Sequence, residues 1–171
     1  MSTDKSESSS PTARVEPSPG KTTQNLQIPP TPARRIRHYS WKPRDVLGLK
    51  VPITDGLIRA GLSTSVIKQL SQRLDLSTEK TLGYVSINRQ TYARRRKAGK
   101  LSSNESDRVW RVARLVANAY QLLGDDDSAA EWLHTPSPAL NGDTPLERAK
   151  TEIGAWDVQQ LIGRLEHGIP T

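Results

Sequence analysis

The sequence has no cysteine in its 171 residues, which closes off disulfide frameworks, thiolate nucleophiles and soft metal ligands together. It also has no long apolar run. Mean hydropathy is -0.64, and the uncharged apolar stretches fall far short of the roughly 18 to 20 residues that cross a bilayer, so no membrane passage is expected. The N-terminal "MSTDKSESSSPTARVEPSPGK" lacks an apolar centre between its charges and does not read as a secretory signal; the expected compartment is the cytoplasm. Only three histidines occur, His38, His134 and His167, too scattered for a zinc site, and there is no glycine-rich phosphate loop. His167, beside Glu166, complements the C-terminal dipole of a final helix better than it serves as a base. With 34% hydrophobic residues the chain has material for one modest core or two small ones. Neither an enzyme nor a cofactor nor a bound metal is expected.

What the sequence does have is charge, unevenly spread. The net +7 divides into +3 over residues 1–40, +9 over residues 41–100 and −5 over residues 101–171. A basic middle beside an acidic end points to two surfaces with different partners. Residues 1–40 hold six of the 12 prolines among serines and threonines, with few apolar side chains. Such a segment cannot bury enough surface to offset its ordering entropy, so a disordered extension is expected there.

From Ile53 onward the periodicity is helical. In "STSVIKQLSQRLDLS" the residues Val66, Ile67, Leu70 and Leu74 recur at helical spacing behind a capping Ser63 or Thr64. A second short helix starts at the pair Ser77 and Thr78 and ends near Tyr84. A third is capped by Asn88 and stopped by Gly99. The next is the longest, opened by a capping box from Ser102 to Glu105, closed by Gly124 and striped by Val109, Ala113, Val116, Ala117 and Tyr120. The acidic residues 125–127 then serve as a turn and as N-terminal charge for a short helix carrying Trp132 and Leu133. A second capping box is expected at Thr144, Pro145 and Glu147, before a final helix with Val158, Leu161, Ile162 and Leu165 on one face and Gly168 as its stop. No alternating strand pattern competes anywhere, so the fold class is all-α.

The segment "INRQTYARRRKAGKL", residues 87–101, places Arg94, Arg95, Arg96 and Lys97 side by side, where they repel unless something polyanionic lies opposite. Two short helices, a tight turn and an arginine-rich third helix form the layout of a helix-turn-helix, whose later helix enters the DNA major groove. Residues Arg89, Gln90, Thr91, Tyr92, Arg94, Arg95, Arg96 and Lys97 are therefore candidate DNA contacts. Gln90 and Thr91, in the first turn, are placed for base edges or backbone, and the arginines divide between bases and phosphates.

The run "TYARRRKAGKLSSNESDRVWRVARL", then "AAEWLHTPSPALNGDTPLE", then "GAWDVQQLIGRLEHGIPT", resembles the Xre/MbcA/ParS-like antitoxins of bacterial type II toxin-antitoxin systems. The ordered pattern "L-S-x-x-E-S-D-R", "W-L-x-x-P-x-x-A-L-x-G-x-T-P-L-E" and "G-x-x-x-V-x-x-L-I-x-R-L-E-H-G" carries the resemblance across residues 53–171. It implies an Xre-like helix-turn-helix domain over residues 41–101 and a toxin-binding domain over residues 102–171. The implied partner is a RES-domain toxin that consumes NAD, held inactive when the antitoxin's C-terminal region covers its active site; the implied second function is repression of the antitoxin's own promoter. Trp132, Leu133, Leu140, Leu161, Arg164, Glu166, His167, Gly168, Ile169, Pro170 and Thr171 are the candidate toxin contacts, with core packing the default for Trp132, Leu133 and Leu140, which can serve as core, interface or both. Within "RLEHGIPT", Pro170 restricts the tail and Ile169 offers one apolar anchor. A homodimer is expected, because helix-turn-helix domains commonly read two half-sites about one DNA turn apart. The rival reading is a stand-alone DNA-binding regulator whose C-terminal half only dimerises.

Overall fold

The structure, a computed structural model, describes residues 42–168, so the expectations for residues 1–40 and for Ile169, Pro170 and Thr171 lie outside it. Its first four helices are α1 (Pro43–Val46), α2 (Asp55–Ala60), α3 (Ser65–Arg73) and α4 (Thr78–Tyr84). They are followed by α5 (Arg89–Ala98) and the long α6 (Ser103–Leu123). The chain continues through α7 (Asp126–His134), a 3-10 turn (Pro138–Leu140), α8 (Pro145–Arg148) and α9 (Glu152–Glu166). Among the described residues there is no strand, only an isolated antiparallel bridge between Ser63 and Lys100.

Local chemistry sets most of these boundaries. The Ser77 hydroxyl accepts from the Lys80 amide to open α4, and the Asn88 side-chain oxygen Oδ1 accepts from Thr91 N–H at 2.7 Å to open α5. At α6 the box is reciprocal, with Ser102 accepting from the Glu105 amide and Glu105 accepting from the Ser102 amide. Gly99 and Gly124 take left-handed φ of +76° and +80° at the ends of α5 and α6, as their positions required. Asp125 caps α7 through Ser128 N–H, with Asp126 and Asp127 in its first turn. The second expected box closes only halfway. Thr144 accepts from the Glu147 amide, but the Glu147 carboxylate turns to Lys150 instead of back to the cap. The final helix starts at Glu152, earlier than the Gly154 that opens the sequence pattern, because Thr151 caps it by accepting from Gly154 N–H.

The long helix α6 is the axis on which α1, α2, α7 and α9 all pack. Its striped residues Val109, Ala113, Val116, Ala117 and Tyr120 are all buried, as are Val66, Ile67, Leu70 and Leu74 of the α3 region. They belong to a single continuous apolar core that also takes in Leu133, Leu146, Val158 and Leu161. Long-range polar contacts fasten α3 to the C-terminal half. The Tyr120 hydroxyl donates to the Arg73 carbonyl at 2.7 Å, His134 Nε2 pairs with the Leu74 carbonyl, and Arg73 meets Asp126. Burial raises the Tyr120 phenol to about 12, with the Asp126 charge acting in the same direction.

Two glycines are fixed by close approach. A Cβ at Gly61 (φ +87°) would meet the Leu101 carbonyl oxygen at 2.2 Å, and one at Gly154 would meet the Arg148 carbonyl oxygen at 1.9 Å. The first lets the α2–α3 corner lie against the entrance of α6. The second lets α9 cross close over the end of α8.

Candidate functional site

The helix α5 buries none of its residues fully, and its one inward edge is made by Thr91, Tyr92 and Arg95, each half-buried. Tyr92 packs on the apolar core. Arg95 donates from Nε to the Glu105 carboxylate at 2.8 Å, a group only 7% exposed. Burial raises the Glu105 carboxyl, but the Ser102 amide and hydroxyl and the Arg95 guanidinium outweigh it, leaving the acid below its usual range. Arg95 therefore orients the helix from its inner side. Helical spacing places Arg89, Gln90, Ala93, Arg94, Arg96 and Lys97 around the opposite, exposed side. Ala93, at the centre of that side, was not among the residues picked from the sequence.

The sequence also concealed how α5 is held. Arg108 donates from Nε to the Val85 carbonyl at 2.8 Å and from a terminal nitrogen to the Ser86 carbonyl, gripping the turn between α4 and α5. The Ser106 hydroxyl donates to the Ser102 carbonyl and accepts from the Leu62 amide at 2.9 Å, and Leu101 N–H donates to the Leu62 carbonyl. The motif "LSSNESDR" is thus a fastener that joins the first turns of α6 to the α4–α5 unit on one side and the α2–α3 corner on the other.

Ion pairing sorts the arginines. Arg44, Arg59, Arg73, Arg95, Arg111, Arg114 and Arg148 each meet a carboxylate within 3.6 Å. Arg108 has its two carbonyls, and Arg89 lies 4.0 Å from Glu79 with both side chains exposed. The arginines that find no carboxylate or carbonyl among the described residues are Arg94 and Arg96 on α5 and Arg164 on α9.

In the C-terminal half, the structure divides the candidate contacts. Leu133, Leu140 and Leu161 are buried in the core at 0%, 2% and 2% exposure, so in this fold they act as packing residues. The reason is that α7, the 3-10 turn and α9 spend these leucines closing over α6 and one another. Trp132 is half-buried against the same core. Arg164, Glu166, His167 and Gly168 are exposed, and the first three border an open polar groove with Asn118, Gln121 and Gln159. The large apolar side chains exposed here are instead Ile153 at 78% and Trp156 at 59%, one turn apart on α9. Their surface position follows from Gly154, Ala155 and Val158 facing inward on the same helix.

Comparison with known proteins covers both halves. A family profile described as an antitoxin Xre-like helix-turn-helix domain matches residues 54–114, and one described as the antitoxin Xre/MbcA/ParS C-terminal toxin-binding domain matches residues 118–168. The two meet inside α6. A protein named antitoxin Xre from Photorhabdus laumondii is 31% identical over 142 residues, spanning 81% of this chain and 96% of its own length. One of the same name from Yersinia enterocolitica is 32% identical, spanning 82% of this chain and 95% of its own. A protein named Prs ADP-ribosylating antitoxin, from a Sphingobium species, is 26% identical over 66% of this chain and 77% of its own length. With both domains matched in order and relatives aligned over nearly their full length, the chain belongs to the Xre/MbcA/ParS family of type II antitoxins, a helix-turn-helix domain followed by a toxin-binding domain.

Proposed function

We propose that the protein neutralises a RES-domain toxin that consumes NAD and represses its own operon by placing α5 in the major groove of operator DNA. The observation that carries the DNA half is the cluster Arg94, Arg96 and Lys97, cationic and without an ion pair among the described residues, on the exposed side of a helix whose inner side is fixed by Arg95 and Tyr92. An exposed row of Arg, Gln and Ala also matches the chemistry of base edges. Arginine suits guanine, glutamine suits adenine, and the Ala93 methyl suits a thymine methyl. Arg89 and Lys97, at the borders of the row, are placed for phosphates.

The toxin assignment draws support from the relative named for an ADP-ribosylating system, since ADP-ribosylation consumes NAD. Covering an active site with residues 164–171 accounts for the exposed Arg164, Glu166, His167 and Gly168 at the end of α9. The domain assignment is residues 41–101 for DNA and residues 102–171 for toxin, in a cytoplasmic homodimer that reads two half-sites. Replacing Arg94 and Arg96 together by Ala is expected to weaken operator binding and to reduce its salt dependence by roughly one unit of log-log slope per lost phosphate contact. Toxin neutralisation should persist. A gel-shift titration across salt concentrations, alongside growth rescue with the toxin encoded beside the antitoxin, measures both; unchanged affinity and slope would remove α5 from the DNA.

A further inference from the structure

The helix α9 is apolar on two opposite sides. Its inner side, Ala155, Val158, Leu161 and Ile162, is consumed by the core. On the far side, Ile153, Trp156, Gln160, Arg164 and His167 follow one another at three- and four-residue spacing and are all exposed. A solvated helix face has no use for an indole and a β-branched side chain one turn apart. Large exposed aromatics of this kind, set in a polar rim, are what interfaces use as anchors.

The geometry points to this outer face of α9 as the docking surface for the toxin, with Ile153 and Trp156 as its apolar anchors and Arg164 as its charged end. This rests on the antitoxin reading above and names the surface that reading leaves open, since the leucines expected to supply the anchor are buried. Three observations favour the toxin as occupant. The face lies within the residues matched to a toxin-binding domain. It runs on into the exposed Arg164, Glu166, His167 and Gly168 that are assigned to the active-site entrance. Arg164 makes no ion pair among the described residues, although most of the described arginines do, so the occupant offers an acidic group there and an apolar socket about two to three turns away. A second copy of the chain fits less well. Two side chains supply far less than the roughly 800 Å² per partner that a stable symmetric interface needs, whereas they suffice as anchors within a larger surface.

The face is also held in advance. Glu152, at the start of α9, accepts from Arg111 at 2.6 Å and lies 3.6 Å from Arg114. Arg148 reaches Asp157 at 2.7 Å. The helix therefore needs little ordering when the partner arrives, which preserves binding energy.

The test compares the full-length chain with Ile153→Gln/Trp156→Gln and with Arg164→Glu. Affinity is measured by calorimetry against the purified toxin from the adjoining gene, with sedimentation of each antitoxin alone, circular dichroism and an operator gel shift. The expected result is an affinity loss on the order of 30-fold or more for each variant, with helical content, self-association and operator binding unchanged. Unaltered toxin affinity in both variants would overturn the assignment. So would loss of self-association in the Ile153/Trp156 variant, which would make the face a contact between copies. Failure of the unsubstituted chain to bind the toxin would instead refute the antitoxin pairing from which the inference starts.

Discussion

Glu105 shows how one side chain can hold several levels of the structure together. Its carboxylate closes the α6 capping box, neutralises Arg95 and so removes one of the four adjacent cations from the repulsion that the sequence displays. The consequence is a division within the run: Arg95 faces the protein, while Arg94 and Arg96 stay exposed and meet no carboxylate among the described residues. Replacing Glu105 by Gln keeps the shape but loses charge-assisted bonds, and is expected to cost about 2 kcal/mol of stability. If α5 is the DNA helix, the same change should weaken operator binding by misorienting it while leaving the salt slope intact, because no phosphate contact is removed. The pH dependence has a definite sign. A carboxyl lowered in the folded state contributes stability that is complete above the ordinary value of 4.5 and is lost as pH falls through the lowered folded value. Glu105→Gln, which does not titrate, should therefore lose less stability than the unsubstituted chain below about pH 4.5, as chemical denaturation at a series of pH values would show.

At the scale of the element, α9 separates what is legible in a sequence from what is not. Caps, stops and the inner stripe were readable because each depends on residues within about one turn, as the match of Asn88, Ser102, Gly124 and Val158 to their expected roles shows. The four-residue helix α1 was not assigned, since a single turn carries no periodicity. Nor could the sequence say that Trp156 would stay exposed while Leu140 would be covered, because that depends on where the neighbouring elements come to lie. The pairing of Arg95 with Glu105 and of Arg108 with the Val85 carbonyl was hidden for the same reason. The two glycines inside α9 make the point testable. Gly154 has the Arg148 carbonyl oxygen 1.9 Å from where a Cβ would sit, whereas Gly163 has nothing within 4 Å. Gly154→Ala should destabilise the protein by about 3 kcal/mol through overpacking against backbone. Gly163→Ala should instead stabilise it by about 0.5 to 1 kcal/mol, the ordinary gain of alanine within a helix. Thermal melts of the two variants check this; equal behaviour would mean that α9 does not cross α8 at this distance.

For the whole molecule, the decisive feature is that α6 does not sit between two cores but runs through one. The matched helix-turn-helix and toxin-binding segments divide within this helix, between residues 114 and 118, yet the buried residues on either side form a continuous cluster. Tyr120, on the toxin-binding side of that division, donates to the carbonyl of Arg73 in the helix-turn-helix side, and His134 reaches Leu74. Two functions are thus built on one folding unit, and a cavity opened in either half should be felt by both. Leu70→Ala in α3 and Leu133→Ala in α7 replace fully buried leucines, and each is expected to cost about 2 to 5 kcal/mol. Each should lower a single melting transition that reads the same by far-ultraviolet circular dichroism, which follows all the helices, and by fluorescence, to which Trp132 of α7 contributes. Two separated transitions, one responding only to Leu70→Ala and the other only to Leu133→Ala, would show instead that the halves fold independently. A fragment ending at residue 101 lacks Val109, Val112, Ala113 and Val116, the α6 residues of the shared core, and should therefore give the dichroism of a largely unfolded chain.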